Sequence, residues 1–235
     1  MRIAVTIMTR IPMPGHTKTR LMAKMSGYEC AVFQLASLVD TCNAVRGSGL
    51  DGQIYYTGGE ATLLSGQHLF SGTPPWGLNE AARKDFAILP QQGDDLGDRM
   101  LQATRHVLTR YEGVILLGSD MPDLSPELLY EASLQLEEND LVIGPAQDGG
   151  YYLLGIKQVH LELFQNMPWG TSEVLRKTVA AAAEKKLKVA LLEEKNDIDT
   201  WADVCYFYQK GRETKKMQEL QAYTWIELMV QKYGL

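Results

Sequence analysis

The stretch Val114-Ile115-Leu116-Leu117-Gly118-Ser119-Asp120-Met121-Pro122-Asp123-Leu124 decides the fold. Its first four residues are continuously apolar and short, the pattern of a central strand buried on both faces. Such a strand belongs to an α/β sheet with helices on either side. Its exit, Gly118-Ser119-Asp120, then lies at the carboxyl edge of the sheet. Open α/β sheets bind ligands outside that edge, where the strand order reverses.

Working outward, further β-rich runs fall at residues 3–8, 53–57, 86–89, 141–143, 151–156 and 189–192. Between them lie segments whose apolar residues recur at three and four, at 29–45, 97–111, 126–138, 172–185, 202–210 and 214–233. This alternation predicts a mostly parallel sheet. One domain is expected over residues 1–210, with 211–235 forming a C-terminal helix that docks on it or against a second copy in a homodimer. The least regular stretch, 58–85 with Thr73-Pro74-Pro75-Trp76-Gly77, reads as a peripheral excursion.

Composition narrows the function. The chain has 235 residues, 45% hydrophobic and 22% charged, the profile of an ordinary globular protein. A net charge of -6 argues against a surface built to neutralise nucleic acid. No run approaches the roughly 20 apolar residues of a membrane span, and the first apolar run is too short for a signal peptide, so a cytoplasmic protein is expected. Cys30, Cys42 and Cys205 lack paired spacing and read as buried thiols, and the four histidines show no zinc pattern.

Four segments carry chemistry. Pro12-Met13-Pro14-Gly15-His16-Thr17-Lys18-Thr19-Arg20-Leu21 leaves the first strand through a loop fixed by prolines and a glycine. Its backbone amides can form an anion nest, with Lys18 and Arg20 adding charged donors for a diphosphate; neither is expected to be buried without an anion. It is not a P-loop, since only Gly15-x-x-Lys18-Thr19 resembles the tail of that motif. The second segment is the strand exit. A carboxylate there needs a partner, and Asp120 with Mg²⁺ or Mn²⁺ and a substrate phosphate supplies one, while Asp123 reads as a turn or cap residue.

The third segment, Gly144-Pro145-Ala146-Gln147-Asp148-Gly149-Gly150-Tyr151-Tyr152, is a tight-turn signal between apolar runs. Gly149 and Gly150 would let backbone approach a sugar, and Asp148 can accept hydrogen bonds from its hydroxyls. The fourth, Asn196-Asp197-Ile198-Asp199-Thr200, places two carboxylates on one side of an extended chain. One of Asp197 and Asp199 is expected to cap the next helix while the other adds a metal oxygen. Two weaker segments complete the expected pocket. Gly93 and Arg99 flank a helix N-terminus that favours anions. Trp169 offers a face for sugar stacking, with Thr171 as an N-cap.

Taken together, Pro14-Gly15-x-x-Lys18-Thr19-Arg20-Leu21, Gly118-Ser119-Asp120-x-Pro122-x-Leu124, the Gly144 to Gly155 segment, Pro168-Trp169-x-Thr171 and Asp197-Ile198-Asp199-Thr200 resemble a bacterial family. It is the glycosyltransferase-A-like (GT-A) family of nucleotide-diphospho-sugar transferases, some of whose members are named arsenosugar-biosynthesis glycosyltransferases. The resemblance runs in the family's order from residue 1 to about 208. It implies a GT-A fold, a three-layer Rossmann-like sandwich, with Asp120 in the place of the metal-binding aspartate. It also matches Asp197 and Asp199 to a distal acidic motif shared with related nucleotidyltransferases, and Lys18 and Arg20 to the phosphate-side loop. Arg10 stands where the family often has Lys, and Gly170 where it often has Ser.

The reaction expected is transfer of a sugar from a nucleotide-diphospho-sugar to a small-molecule acceptor, with a divalent metal and Lys18 and Arg20 stabilising the leaving diphosphate. Asp120 and Asp148 are the candidate catalytic carboxylates, Asp148 being a weak candidate for the base. The alternative is a nucleotidyltransferase that uses an NTP and a phosphorylated acceptor and releases pyrophosphate. A non-catalytic nucleotide-binding scaffold is disfavoured by carboxylates at two strand ends beside a basic loop.

Overall fold

The structure is a computed structural model and describes residues 1–69, 77–78 and 84–235. Most of the Thr73 to Gly77 excursion lies outside the described residues. Seven strands form one sheet: β1 (Ile3–Arg10), β2 (Asp51–Thr57), β3 (Phe86–Pro90), β4 (Gly113–Gly118), β5 (Leu141–Pro145), β6 (Tyr151–Ile156) and β7 (Val189–Leu191). Their spatial order is β3-β2-β1-β4-β6-β5-β7. Strand β6 alone runs antiparallel to its neighbours β4 and β5, and the other pairings are parallel, so the expectation of a mostly parallel α/β sheet holds.

The chain builds outward from β1 through β2 to β3, then returns to lay β4 on the other flank of β1, with Met8 paired to Gly118. The order therefore reverses between β1 and β4. The loops leaving these two strands, 11–18 and 119–125, flank the crevice that such a reversal opens.

Among the described residues the α-helices that carry the argument are α1 (Gly27–Ser48), α2 (Leu96–Val107), α3 (Pro126–Glu138), α4 (Val174–Glu184), α5 (Trp201–Arg212), α6 (Lys215–Gln218) and α7 (Gln221–Tyr233). On one face of the sheet Val5, Ile7 and Ile115 pack with Leu38 and Val45 of α1 and Leu129 and Leu136 of α3. On the other, Val114, Leu116 and Leu154 pack with Met100, Leu101 and Val107 of α2 and Ala182 of α4. These are the three layers of the sandwich. Helix α1 carries apolar residues all round, the composition of a helix with no solvent face. Its far side, including Val32, Phe33 and Ala36, is covered by Trp225, Ile226 and Met229 of α7 and Phe207 of α5.

Local signals set the boundaries. Helix α1 opens on a capping box between Ser26 and Glu29, and α3 opens on Ser125, whose hydroxyl accepts from the Leu128 amide, with Pro126 in the first turn. The cap before α3 is thus Ser125; Asp123 instead pairs with Lys210 at 3.3 Å. The single helix expected over 214–233 is broken into α6 and α7. The cause is distant in sequence: the Asp40 carboxylate on α1 accepts from the amides of Gln221 and Ala222 at 2.9 and 2.8 Å and starts a new helix there. Among the described residues, no helix is long and apolar enough to cross a membrane.

Candidate functional site

The loop after β1 is folded on itself. Thr17 accepts from the Met13 amide at 3.1 Å through its hydroxyl, which also donates to the Met13 carbonyl at 3.3 Å. Pro14 and Gly15 form the exposed outer turn, and the cleft behind is lined by His16, Thr17, Lys18 and Arg20 rather than by those two. The turn also meets the start of α1, where a side chain at Gly27 would stand 2.6 Å from the Gly15 amide nitrogen.

Lys18 has the left-handed backbone conformation, φ 51° and ψ 48°, uncommon outside glycine. That conformation turns its side chain inward. The ammonium lies 2.9 Å from Asp199 Oδ1 and 3.3 Å from Asp120 Oδ1, and the side chain is only 3% exposed. The expectation that Lys18 stays unburied without an anion is therefore corrected: the protein's own carboxylates are the anions. Burial alone would push the ammonium down, but Asp120 and Asp199 hold it above the ordinary lysine value, so it stays charged. Arg20 remains exposed and reaches Asp199 Oδ2 at 3.4 Å.

Asp120 stands at the exit of β4. A buried polar relay fixes that exit: Gln34 of α1 donates to the Ser119 hydroxyl at 2.8 Å, and this hydroxyl is 2.9 Å from that of Thr9 on β1. Gln34 and Thr9 were missed by reading motifs, whereas Ser119 stood in the strand-exit motif without a role of its own. Gln34 nevertheless carried a signal, a lone amide inside the apolar run Cys30 to Leu38. Asp197 lines a separate small cavity with Lys195, Asp203 and Lys210, and its carboxyl is raised to about 6, by burial first and then by Asp199, with Asp148 and Asp120 adding and Lys18 opposing. Neither Asp197 nor Asp199 caps the next helix, because Thr200 does so in a capping box with Asp203.

Two clefts meet at Met8 and Asp120. The basic cleft, about 430 Å³, is lined by Arg10, His16, Lys18, Arg20, Asp120 and Asp199. The aromatic cleft, about 350 Å³, is lined by Leu96, Met100, Tyr151, Trp169, Asp120 and Asp148, with Gly150 and Thr171 at its wall. Asp148 accepts from the Gly150 amide at 2.8 Å and so holds its own turn. Gly149 does not line either cleft; its φ of 87° and the Ser172 carbonyl, 2.3 Å from where a side chain would begin, make it a packing glycine.

Three further expectations are revised. Thr171 is not the N-cap of α4, which starts at Val174 with Glu173 in the cap position; its hydroxyl accepts from the Glu173 amide at 3.4 Å and donates to the Pro168 carbonyl at 2.8 Å, holding the turn before the helix. Gly93 and Arg99 line neither cleft, since the Arg99 guanidinium is used on the carbonyls of Gly93 at 3.0 Å and Asp94 at 3.3 Å. Asp120, Asp197 and Asp199 do not gather into a metal cage: among the described residues no three His, Cys, Asp or Glu side chains draw close enough to hold an ion. The cation between Asp120 and Asp199 is Lys18. The donor set still fits a hard dication of the Mg²⁺ type, which takes one or two carboxylates and completes its shell with substrate phosphates and water.

A family model described as "Uncharacterized protein conserved in bacteria (DUF2064)" matches residues 42–171. No curated protein matches the chain. The structure is similar to that of a protein from Desulfovibrio desulfuricans G20 provisionally assigned as a nucleotide-diphospho-sugar transferase, with 27% identity over 99% of this chain and 98% of that one and a TM-score of 0.85. The family resemblance read from the motifs is thereby borne out. More remote likenesses include a nucleotidyl transferase from Methanothermobacter thermautotroptrophicus, 12% identical over 91% and 99% of the two chains with a TM-score of 0.56. Another is Rv0371c of Mycobacterium tuberculosis H37Rv in complex with manganese, 14% identical over 91% and 100% with a TM-score of 0.50. These two show the fold alone.

Proposed function

Because the chain belongs to the bacterial DUF2064 family and places a buried cation between two carboxylates at the point where its strand order reverses, we propose that it is a metal-dependent glycosyltransferase of the cytoplasm. It moves a sugar from a nucleotide-diphospho-sugar to a small-molecule acceptor. The Lys18 arrangement carries this reading, supported by the likeness to the Desulfovibrio protein.

Lys18 and Arg20 bind the diphosphate of the donor in the basic cleft, with Arg10 beside them. Lys18 is charged and buried before the substrate arrives, so little reorganisation is needed as negative charge develops on the leaving group. The Gln34, Ser119 and Thr9 relay orients Asp120 at the junction of the clefts. Asp120, half exposed at the junction, would hold Mg²⁺ or Mn²⁺ together with the donor's phosphates, and the ion would supply Lewis-acid stabilisation of the diphosphate, while Asp199 stays paired with Lys18. The acceptor hydroxyl forms its new bond at the anomeric carbon as the bond from that carbon to the phosphate oxygen breaks. Its proton passes to Asp148, the carboxylate of the aromatic cleft that is not engaged by Lys18.

Ligands that bind the folded state raise its apparent melting temperature. Nucleotide-diphospho-sugars with Mn²⁺ or Mg²⁺ are expected to raise it more than either component alone, and turnover is expected to release a nucleoside diphosphate. Stabilisation confined to NTPs, with pyrophosphate as product, would overturn sugar transfer in favour of nucleotidyl transfer.

A further inference from the structure

We infer that the aromatic cleft takes an uncharged, polyhydroxylated ring as the acceptor and rejects acceptors that carry phosphate. This rests on the transfer reading above and concerns the half of the site which that reading leaves open. Three observations carry it.

The first is charge. No Lys, Arg or His is among the described residues lining the cleft, whereas Asp120 and Asp148 both face it. A phosphate brought here would meet Asp148 with no cationic side chain of this cleft beside it, since Asp120 is already engaged by Lys18 at 3.3 Å, and like charges set against each other cost several kcal/mol. The cations of the site stand on the other side of Asp120, where Lys18, Arg10 and Arg20 line the basic cleft.

The second is the wall. Trp169 meets Tyr151 edge to face, with ring centroids 6.3 Å apart and planes at 86°, and Leu96, Met100 and Val174 complete an apolar side. The indole is seated by Gly97, where a side chain would come within 2.5 Å of Trp169 Nε1. An apolar face opposite acceptor-only carboxylates matches a ring with C–H groups on one side and hydroxyl donors at its rim.

The third is continuity. The clefts share Met8 and Asp120, so a donor whose diphosphate lies on Lys18 and Arg20 brings its reacting carbon to Asp120. Its nucleoside then extends toward Arg10 and His16, away from Trp169, and leaves the aromatic cleft for the second substrate.

The test uses the full chain with UDP and Mn²⁺, and follows the Trp169 indole resonance in the NMR spectrum. The probes are methyl glycosides of common hexoses and pentoses beside the corresponding sugar phosphates. Several glycosides are expected to shift that resonance. The sugar phosphates should bind weaker by on the order of ten-fold or more. Followed by calorimetric titration, which needs no indole, Trp169→Ala should lose glycoside binding while UDP affinity stays within about two-fold, and Asp148→Arg should reverse the preference in favour of phosphates. Equal or tighter binding of sugar phosphates by the natural chain, no glycoside response, or loss of UDP affinity in Trp169→Ala would each overturn the inference. Metal-dependent UDP binding that depends on Lys18 reports separately on the transfer reading, so the two can fail independently.

Discussion

Lys18 owes its role to its backbone: after the Pro-Gly turn, the left-handed conformation carries its ammonium onto Asp120 and Asp199. Nothing local in the sequence encodes this, because both partners arrive from other strand ends. Asp120 could be read in advance, since a carboxylate leaving an apolar strand needs a partner. The consequence is a difference between two neighbouring cations. Lys18→Ala should lower stability by about 1 to 3 kcal/mol, less than breaking a fully buried pair because Asp120 and Asp199 keep some water. Arg20, 71% exposed, should cost no more than about 0.5 kcal/mol on replacement by Ala. Either change should slow transfer by on the order of 10² to 10³. Melting curves run beside turnover check this, and equal melting of the two variants would contradict the buried role of Lys18.

At the scale of elements, α7 is fastened to α1 at both ends. Asp40 holds its first amides, and three turns earlier on α1 Glu29 receives the Lys232 ammonium at 2.6 Å and the Tyr233 hydroxyl at 2.7 Å. Burial would push the Glu29 carboxyl up, but Lys232, the Ser26 amide and Tyr233 together bring it down to about 2. The folded state thus binds this proton less readily than the unfolded chain, whose Glu has the usual value near 4.5. The stability Glu29 contributes is present above that value and is lost as pH falls from about 4.5 toward 2. Glu29→Gln should melt lower at neutral pH and lose less stability than the natural chain on acidification over that window. Parallel acid dependence in both proteins would remove Glu29 as the cause. The limits of α3 were legible from Ser125-Pro126, whereas the break before α7 was not, since its cap comes from Asp40.

For the whole molecule, alternation of strands and helices predicted the sheet, and the Asp-Gly-Gly signal predicted the turn joining β5 to β6. The insertion of β6 between β4 and β5 was not legible, because it depends on pairings such as Leu117 with Leu153 that no local pattern records. Docking of the C-terminal segment was one of two outcomes its apolar face allowed, but that it would cover α1 was not legible, because the contact joins distant stretches. Trp225, Ile226, Met229 and Val230 are buried with α1, and each such side chain is worth roughly 1.5 to 3 kcal/mol. Their sum rivals the roughly 5 to 15 kcal/mol of a whole domain. Deleting residues 214–235 should therefore leave a chain that aggregates or lacks a cooperative melting transition. Circular dichroism melting and light scattering decide it, and a truncated monomer with unchanged melting would show that the segment is dispensable.

The turn that carries Asp148 is stitched to the segment that follows Trp169, through the Leu175 amide donating to the Gly149 carbonyl at 2.9 Å and the Ser172 backbone pressed against Gly149. The carboxylate and the indole therefore belong to one jaw rather than two. Closing on a ligand costs this jaw little conformational entropy, and its affinity is prepaid during folding. Association should be a single kinetic phase whose rate rises linearly with ligand concentration, without the plateau that a slow closing step imposes.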